Sequence, residues 1–247
     1  MGTVYKTAIN MLVGHFDEPY LKYALDSVKW VDQMVVVLNG NSIPNTVELL
    51  KWFEDHPEIP SVKIIHYEKY YNNFNFAKAR QLAKDATDAD LILKIDADEV
   101  YYDSFQETVK NLHIQKKFVD MYGAPEPIDV YVTQFYHMMG DIKHYQFIQQ
   151  QETLFWNSPE IKWQCDVHEK LTKPGDIVYC TIPDMFMHLG YIKPPEEVFR
   201  RWQLYAELEG IEGAYENTNP KTILDDRPRT PFTGEYPEAL KPLLEEE

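Results

Sequence analysis

Apolar residues occur in the first part of the chain as short runs separated by amphipathic stretches. Three runs rich in β-branched residues predict buried strands: Thr7–Val13, Met34–Leu38 and Val62–Tyr67. The stretches between them predict two helices, the first beginning near Pro19 and the second spanning Pro44–His56. Strand and helix therefore alternate, which predicts βαβ units and a parallel sheet.

The stretch Leu91–Val100 is an apolar run interrupted by three carboxylates, Asp96, Asp98 and Glu99. Such a run predicts a further buried strand that delivers acids to an edge of the sheet. Carboxylates at a strand end repel one another, so basic partners or a divalent cation must hold them together. We favour the cation. The alternative is that these acids only begin a solvated turn.

Ligands of parallel sheets bind beyond the carboxyl ends of the strands. This rule indicates three loops: Gly14–Glu18, Asn39–Ser42 and Asp96–Glu99. Just before the acidic strand, a predicted helix begins after Asn73 or Asn75 as N-cap and carries Arg80 in its first turns. Arg80 is a candidate for a diphosphate or base contact because its helix leads into that strand. The alternative is a solvated helix charge.

The second half is rich in aromatic residues and begins with alternating apolar and polar positions. Three further short strands are predicted: Ile128–Thr133, Tyr145–Trp156 and Ile161–Val167. A helix is expected after Pro194. From about Gly210 the sequence is polar and Pro-rich, with one more helix indicated over Pro237–Leu244.

Composition narrows the classes of function. The 247 residues carry a formal net charge of −16, which argues against nucleic-acid partners and against docking on anionic lipid. The two cysteines, Cys165 and Cys180, are too few for a disulfide scaffold and are interpreted as free thiols. No transmembrane segment or signal peptide is recognised, so we expect a cytoplasmic location.

Several motifs in order along the chain resemble those of family 2 glycosyltransferases with a GT-A fold. They are Val31–Val37, Asn75–Arg80, the strand ending in Asp96–Glu99, Val167–Glu169 and Met187–Tyr191. The resemblance implies an α/β fold with a Rossmann-like, mixed and mostly parallel sheet flanked by helices. It implies a GT-A domain over residues 1–209, with a nucleotide-binding half (1–100) and an acceptor half (101–209), before an acidic C-terminal extension (210–247).

The resemblance also implies a reaction: inverting, metal-dependent transfer of a sugar from a nucleoside-diphosphate donor, with UDP favoured, to a glycan, lipid-linked or other hydroxyl acceptor. Mn²⁺ or Mg²⁺ is expected at Asp96, Asp98 and His188. The residues expected to contact the nucleotide sugar are Val13, His15, Glu18, Asn39, Asn41, Arg80, Asp96, Ala97 and Asp98.

A carboxylate is the usual side chain to accept the acceptor's proton, which makes Glu169 the first candidate for the base and Asp166 the second. The alternative for Glu169 is a surface pair with Lys170 or Lys173. His188 lies in an apolar neighbourhood, where a lone histidine is more often simply buried and hydrogen-bonded.

The sequence departs from the family pattern in two places. Asn39–Asn45 replaces a turn that is usually rich in aspartate, which leaves the nucleobase open, and Gln149–Phe155 lacks the usual arginines. A homo-oligomer also remains open. The alternative functions are a sugar nucleotidyltransferase, which would need a basic Gly-rich loop that Gly14–Glu18 does not supply, and a non-catalytic binding protein on the same fold.

Overall fold

The structure is a computed structural model that describes residues 4–14, 16–39, 43–67, 75–123 and 128–245. Its strands are β1 (Thr7–Val13), β2 (Gln33–Asn39), β3 (Val62–Tyr67), β4 (Leu91–Asp96), β5 (Glu99–Tyr101), β6 (Val130–Met139), β7 (Asp141–Trp156), β8 (Lys162–Gln164), β9 (Lys170–Thr172), β10 (Tyr179–Tyr191) and β11 (Thr230–Pro231). Its α-helices are α1 (Leu21–Ser27), α2 (Ile43–Asp55), α3 (Phe76–Asp85), α4 (Ser104–Tyr122), α5 (Pro195–Leu208) and α6 (Lys241–Glu245).

One large mixed sheet organises the chain, with strand order β3-β2-β1-β4-β7-β6-β10-β5 and β11 beside β7. Strands β3, β2, β1 and β4 are mutually parallel. Strand β7 is antiparallel to β4, β6 is antiparallel to β7, and β10 runs parallel to β6. The predicted α/β fold with a mixed sheet is confirmed, and its parallel part is the segment where βαβ alternation was visible in the sequence.

Register and burial bring the predicted loops to one edge. Every residue of β1 is buried, and Leu12 of β1 is aligned with Asp96 of β4. Apolar side chains on β1 and β4, among them Ile9 and Leu93, lie in the main core cluster. Burial of each such side chain contributes about 1.5–3 kcal/mol, so the two strands are firmly fixed. The loops that follow β1 and β4 consequently emerge side by side.

Two elements, α4 and β10, were not predicted from the sequence, and one predicted strand, Ile161–Val167, needs correction. The structure limits that strand to β8, which pairs only with β9 in a separate two-stranded sheet. Trp163 and Leu171 pack together in a small core cluster, and Cys165 then reverses the chain with a φ of 72°.

The C-terminal segment is built into the fold. Strand β11 pairs with β7, and Leu240 packs in a core cluster with Tyr23 and Val100. The helix predicted at Pro237–Leu244 occurs as a 3₁₀ turn followed by α6. The division at residues 209 and 210 stays a prediction. Among the described residues, no helix has the length and apolar character needed to cross a bilayer.

Candidate active site

Asp98 lies at the centre of the predicted ligand edge, in the tight turn between β4 and β5. Its backbone carbonyl accepts a 2.8 Å hydrogen bond from Leu189 N–H, which ties this turn to β10. Its carboxylate Oδ2 accepts hydrogen bonds from Lys193 Nζ at 2.8 Å and Arg201 at 3.3 Å. Its Oδ1 lies 3.6 Å from His188 Nε2. The turn therefore places one buried carboxylate among three nitrogen-bearing side chains.

Glu18, in the loop after β1, shares the two cations with Asp98. Its carboxylate bonds Lys193 and accepts a 3.0 Å hydrogen bond from Arg201. We call Glu18, Asp98, Lys193 and Arg201 the ion network. The side chains of Glu18, Asp98 and Lys193 are all less than a tenth exposed. Both loops of the edge are thus joined through Lys193, which follows β10, and through Arg201 of α5.

Asn45 of α2 fixes the loop that carries Glu18. Its side-chain Oδ1 accepts a 2.7 Å hydrogen bond from Glu18 N–H, and its Nδ2 donates to the carbonyl of Phe16 at 2.8 Å. Asn45 is buried, so these bonds are shielded from water. The Glu18 side chain accordingly points into the ion network.

The electrostatics keep Asp98 ionised and His188 neutral. Burial alone would raise the pKa of Asp98, but Lys193, His188 and Arg201 outweigh it and hold the pKa far below its usual range. Burial is the largest influence on His188 and lowers its pKa, against the opposing effect of Asp98. A carboxylate anion thus faces an imidazole that keeps a lone pair, which is the donor state that a divalent cation requires.

Arg80 organises a second group of charges. Its side chain is completely buried and donates to the backbone carbonyls of Asn10 at 2.7 Å and Ile95 at 2.9 Å. The same guanidinium bonds the Asp96 carboxylate and donates from Nε to Glu169 Oε1 at 3.1 Å. The prediction that Arg80 contacts a diphosphate or base stays a prediction. All of these donors serve protein acceptors, so Arg80 positions the two acids.

The two candidate bases lie in the loop between β8 and β9. The Glu169 carboxylate is held by Arg80 and lies 3.9 Å from Lys94 Nζ. The alternative was a surface pair of Glu169 with Lys170 or Lys173, but among the described residues Glu169 pairs with Arg80 and Lys94, and Lys173 binds Asp129 at 2.6 Å. Asp166 is exposed, and its carboxylate accepts from Asn75, the N-cap of α3. The acid held in the interior is therefore Glu169.

The three predicted metal ligands are not brought together as a set. The described part of the chain contains no group of three or more His, Cys, Asp or Glu residues that could hold an ion. Asp96 faces Arg80, whereas Asp98 and His188 lie side by side. Their 3.6 Å separation exceeds a hydrogen bond, and a carboxylate beside a neutral imidazole is a donor pair that would hold a divalent cation. The residues fit a two-ligand site.

Val13, Ala97, Asn39, His15 and Asn41 are the remaining residues predicted to contact the nucleotide sugar. Val13 and Ala97 pack in the main core, so they can reach a ligand only through their backbone. Asn39 is the last residue of β2. His15 and Asn41 lie outside the described residues.

Comparison with known families decides the class of protein. The sequence profile described as Glycosyl transferase family 2 matches residues 12–165, more than half of the chain. The chain belongs to glycosyl transferase family 2. This family 2 enzyme is therefore a glycosyltransferase, and its mixed sheet is a GT-A fold, as the sequence motifs indicated.

Solved structures show more distant likenesses to the family 2 enzyme. S. aureus TarS is 11% identical with a TM-score of 0.47, over 85% of this chain and 44% of that one. This chain thus spans less than half the length of that TarS chain. HddC from Yersinia pseudotuberculosis is 14% identical with a TM-score of 0.41, over 81% and 99% of the two chains. A comparison with curated protein sequences gives no match.

Sequence reasoning missed several residues of the glycosyltransferase site. Lys193 and Arg201 were not singled out, although Arg201 falls at helical spacing with Val198 and Trp202 on the apolar side of a predicted helix. A charged residue on an apolar helix face is a signal that it has a buried partner. Lys193 and Asn45 carry no comparable signal, because isolated polar residues at loop and helix ends are common.

Gly190 packs directly against the proposed ligands. A Cβ at this position would lie 2.6 Å from His188 Cε1, 2.9 Å from His188 Nε2 and 3.2 Å from Asp98 Oδ2. We expect Gly190→Ala to displace His188 and to weaken Mn²⁺ binding in the presence of UDP by about tenfold or more. Isothermal titration calorimetry of Gly190→Ala and of the wild type measures this. Equal affinities of the two proteins would contradict the expectation.

His137 predicts a pH dependence of stability. It is buried and stacks on His188 with ring centroids 4.7 Å apart, and neither ring nitrogen has a hydrogen-bond partner within the described part of the chain. Burial, with the neighbouring His188, lowers its pKa from 6.5 to about 3. The unfolded chain therefore binds a proton that the folded chain does not, and stability falls below pH 6.5 by about 1.4 kcal/mol per pH unit.

Replacement by phenylalanine should remove this dependence. In EDTA, we expect His137→Phe to exceed the wild type in unfolding free energy by about 2 kcal/mol more at pH 5 than at pH 8. Urea denaturation at both pH values gives this difference. If the unfolding free energies of His137→Phe and the wild type differed by the same amount at pH 5 and at pH 8, His137 would be protonated in the folded protein at pH 5.

Proposed function

We propose that this glycosyltransferase uses a nucleoside-diphosphate sugar and transfers the sugar to an acceptor hydroxyl with inversion. The observation that carries the proposal is the pairing of Asp98 with His188 at the carboxyl edge of β4, beside the loop after β1. Parallel sheets bind nucleotides at this edge. UDP sugars are the first donors to test.

Asp98 and His188 would hold a divalent cation, Mn²⁺ or Mg²⁺, with the remaining ligands supplied by the donor and water. When bound, the ion stabilises the negative charge that gathers on the diphosphate leaving group. The chain's own contribution is to keep His188 neutral and Asp98 ionised, and to hold Lys193 and Arg201 beside the same carboxylate. These are the conditions for binding an anionic leaving group in a protein of high net negative charge.

Glu169 is the proposed base. Its contacts to Arg80 and Lys94 both use Oε1, so the carboxylate is oriented while Oε2 faces the acceptor hydroxyl in the proposed reaction. Removal of the hydroxyl proton accompanies attack on the face opposite the leaving group, which inverts the anomeric centre. Asp166 is the second candidate for this role.

Asp96 is proposed to accept a hydrogen bond from the ribose. Burial alone would raise its pKa, but Arg80 and Lys94 lower it, so Asp96 stays an acceptor at neutral pH. Arg80 links this acid to Glu169 through one guanidinium. The donor-binding acid and the base are thus positioned by the same side chain.

The test is turnover with a panel of nucleoside-diphosphate sugars, with water as the default acceptor and products identified by mass spectrometry. We expect hydrolysis of at least one donor with Mn²⁺, and its loss in folded Asp98→Ala. Consumption of no donor would overturn the proposal. Release of pyrophosphate from a sugar phosphate and a nucleoside triphosphate would favour the nucleotidyltransferase instead.

A further inference from the structure

The ion network balances its own charge before any ligand binds. Glu18 and Asp98 supply two carboxylates, and Lys193 and Arg201 supply two cations that bond both of them. The Lys193 side chain is fully buried, and Arg201 is also held by Glu197 on the same helix at 3.3 Å. A divalent cation that binds at Asp98 without the diphosphate therefore lies beside two fixed positive charges. These charges oppose its binding, and the low dielectric of the buried site strengthens the repulsion.

Two buried atoms of the network lack hydrogen-bond partners among the described residues. They are Glu18 Oε1 and Arg201 Nε. Unsatisfied buried polar atoms are costly and rare in native proteins, so they indicate that the network has bonding capacity for a ligand. Arg201 Nε is a donor, and an anion such as a phosphate is the complementary group.

We infer that Lys193, supported by Arg201, is an internal counter-cation of Asp98 that couples binding of the divalent metal to binding of the donor diphosphate. The metal alone adds uncompensated positive charge to the network. The metal together with the diphosphate adds almost no net charge. The Lys193 ammonium and the Arg201 guanidinium can then donate hydrogen bonds to phosphate oxygens. This inference rests on the proposed function, because it assumes that Asp98 and His188 bind the metal.

Removing the Lys193 charge should therefore strengthen metal binding in the absence of nucleotide. We expect Lys193→Met to bind Mn²⁺ alone about tenfold or more tightly than the wild type, measured by electron paramagnetic resonance of free Mn²⁺. We also expect the enhancement of Mn²⁺ affinity by UDP, GDP, CDP or dTDP to shrink by a similar factor, because the linkage is reciprocal.

Two further variants keep the test decisive. Lys84→Met is the matched control, since Lys84 is also a buried lysine but donates to the carbonyl of Ser158 at 2.9 Å, away from the network. We expect it to bind Mn²⁺ as the wild type does. The double variant Glu18→Gln/Lys193→Met removes one charge of each sign and keeps the balance of the network, so we expect it to bind Mn²⁺ alone within about threefold of the wild type.

The outcomes separate the two proposals. Wild-type binding of Mn²⁺ that is enhanced by a nucleoside diphosphate, with no gain in affinity in Lys193→Met or with an equal gain in the double variant, overturns the counter-cation inference alone. No binding of Mn²⁺ by the wild type with any of the four nucleotides overturns both the metal-dependent function and the inference.

Discussion

Glu169→Gln should reduce kcat by about 10²–10⁴-fold, because the amide cannot accept the proton of the acceptor hydroxyl. Glutamine keeps the shape of the side chain and an oxygen for the hydrogen bond from Arg80 Nε, so the position of Asp96 should not change. Affinity for the nucleoside diphosphate should accordingly stay within about threefold of the wild type. Steady-state kinetics with calorimetry of UDP binding gives both quantities.

Asp166→Asn is the comparison for this variant. Asp166 lies in the same loop but is exposed, and asparagine can still accept from Asn75. Its effect on kcat should be less than about tenfold. If the large reduction in kcat occurred in Asp166→Asn and not in Glu169→Gln, Asp166 would be the base and the role given to Glu169 would be wrong.

Asp98→Asn should abolish the part of nucleotide binding that depends on metal. The amide is a poor ligand for Mn²⁺, so the ratio of UDP affinities with Mn²⁺ and with EDTA should fall to near one, a loss of about tenfold or more. Calorimetric titration in both conditions measures the ratio. Asp96→Asn is the matched control, because its carboxylate faces Arg80 rather than His188. It should weaken UDP binding about equally with and without metal, and a loss of metal dependence in both variants would contradict the assignment.

Much of the fold could be predicted from the first hundred residues. The strand over Thr7–Val13 has the predicted bounds, because a parallel strand buried on both faces is a nearly continuous apolar run. The strand over Val62–Tyr67 also has the predicted bounds, but it was predicted to be buried and is instead the edge strand of the sheet, where only Tyr67 is buried. The second half gave weaker signals. In α4, only Phe105, Val109 and Leu112 are buried, so its apolar pattern ends well before the helix does. Strand β10 has register shifts against β6, which obscure a simple alternation.

The candidate site shows what a sequence pattern can and cannot give. The acids after β4 and His188 were found because their motifs lie on the chain in order, and the structure brings Asp98 and His188 to 3.6 Å. The partners of these residues come from distant segments. Lys193 reaches Glu18 across 175 positions, a contact that depends on how β10 and the β1 loop meet in space.

The partners of the buried Arg80 side chain could not be identified from the sequence either. Arg80 was predicted to be a ligand contact because its helix leads into the strand that carries Asp96, and a solvated helix charge was the alternative. The structure buries it completely between two backbone carbonyls and two carboxylates. Burial of an arginine is tolerated only when its donors are satisfied, and those acceptors lie on three separate segments, so local spacing could not reveal its positioning role.

The most direct test of the central claim is calorimetric titration of the wild-type glycosyltransferase with UDP, GDP, CDP and dTDP, each in Mn²⁺ and in EDTA. We expect at least one nucleoside diphosphate to bind about tenfold or more tightly with Mn²⁺ than without it. Equal affinities in the two conditions for all four nucleotides would contradict a metal held by Asp98 and His188.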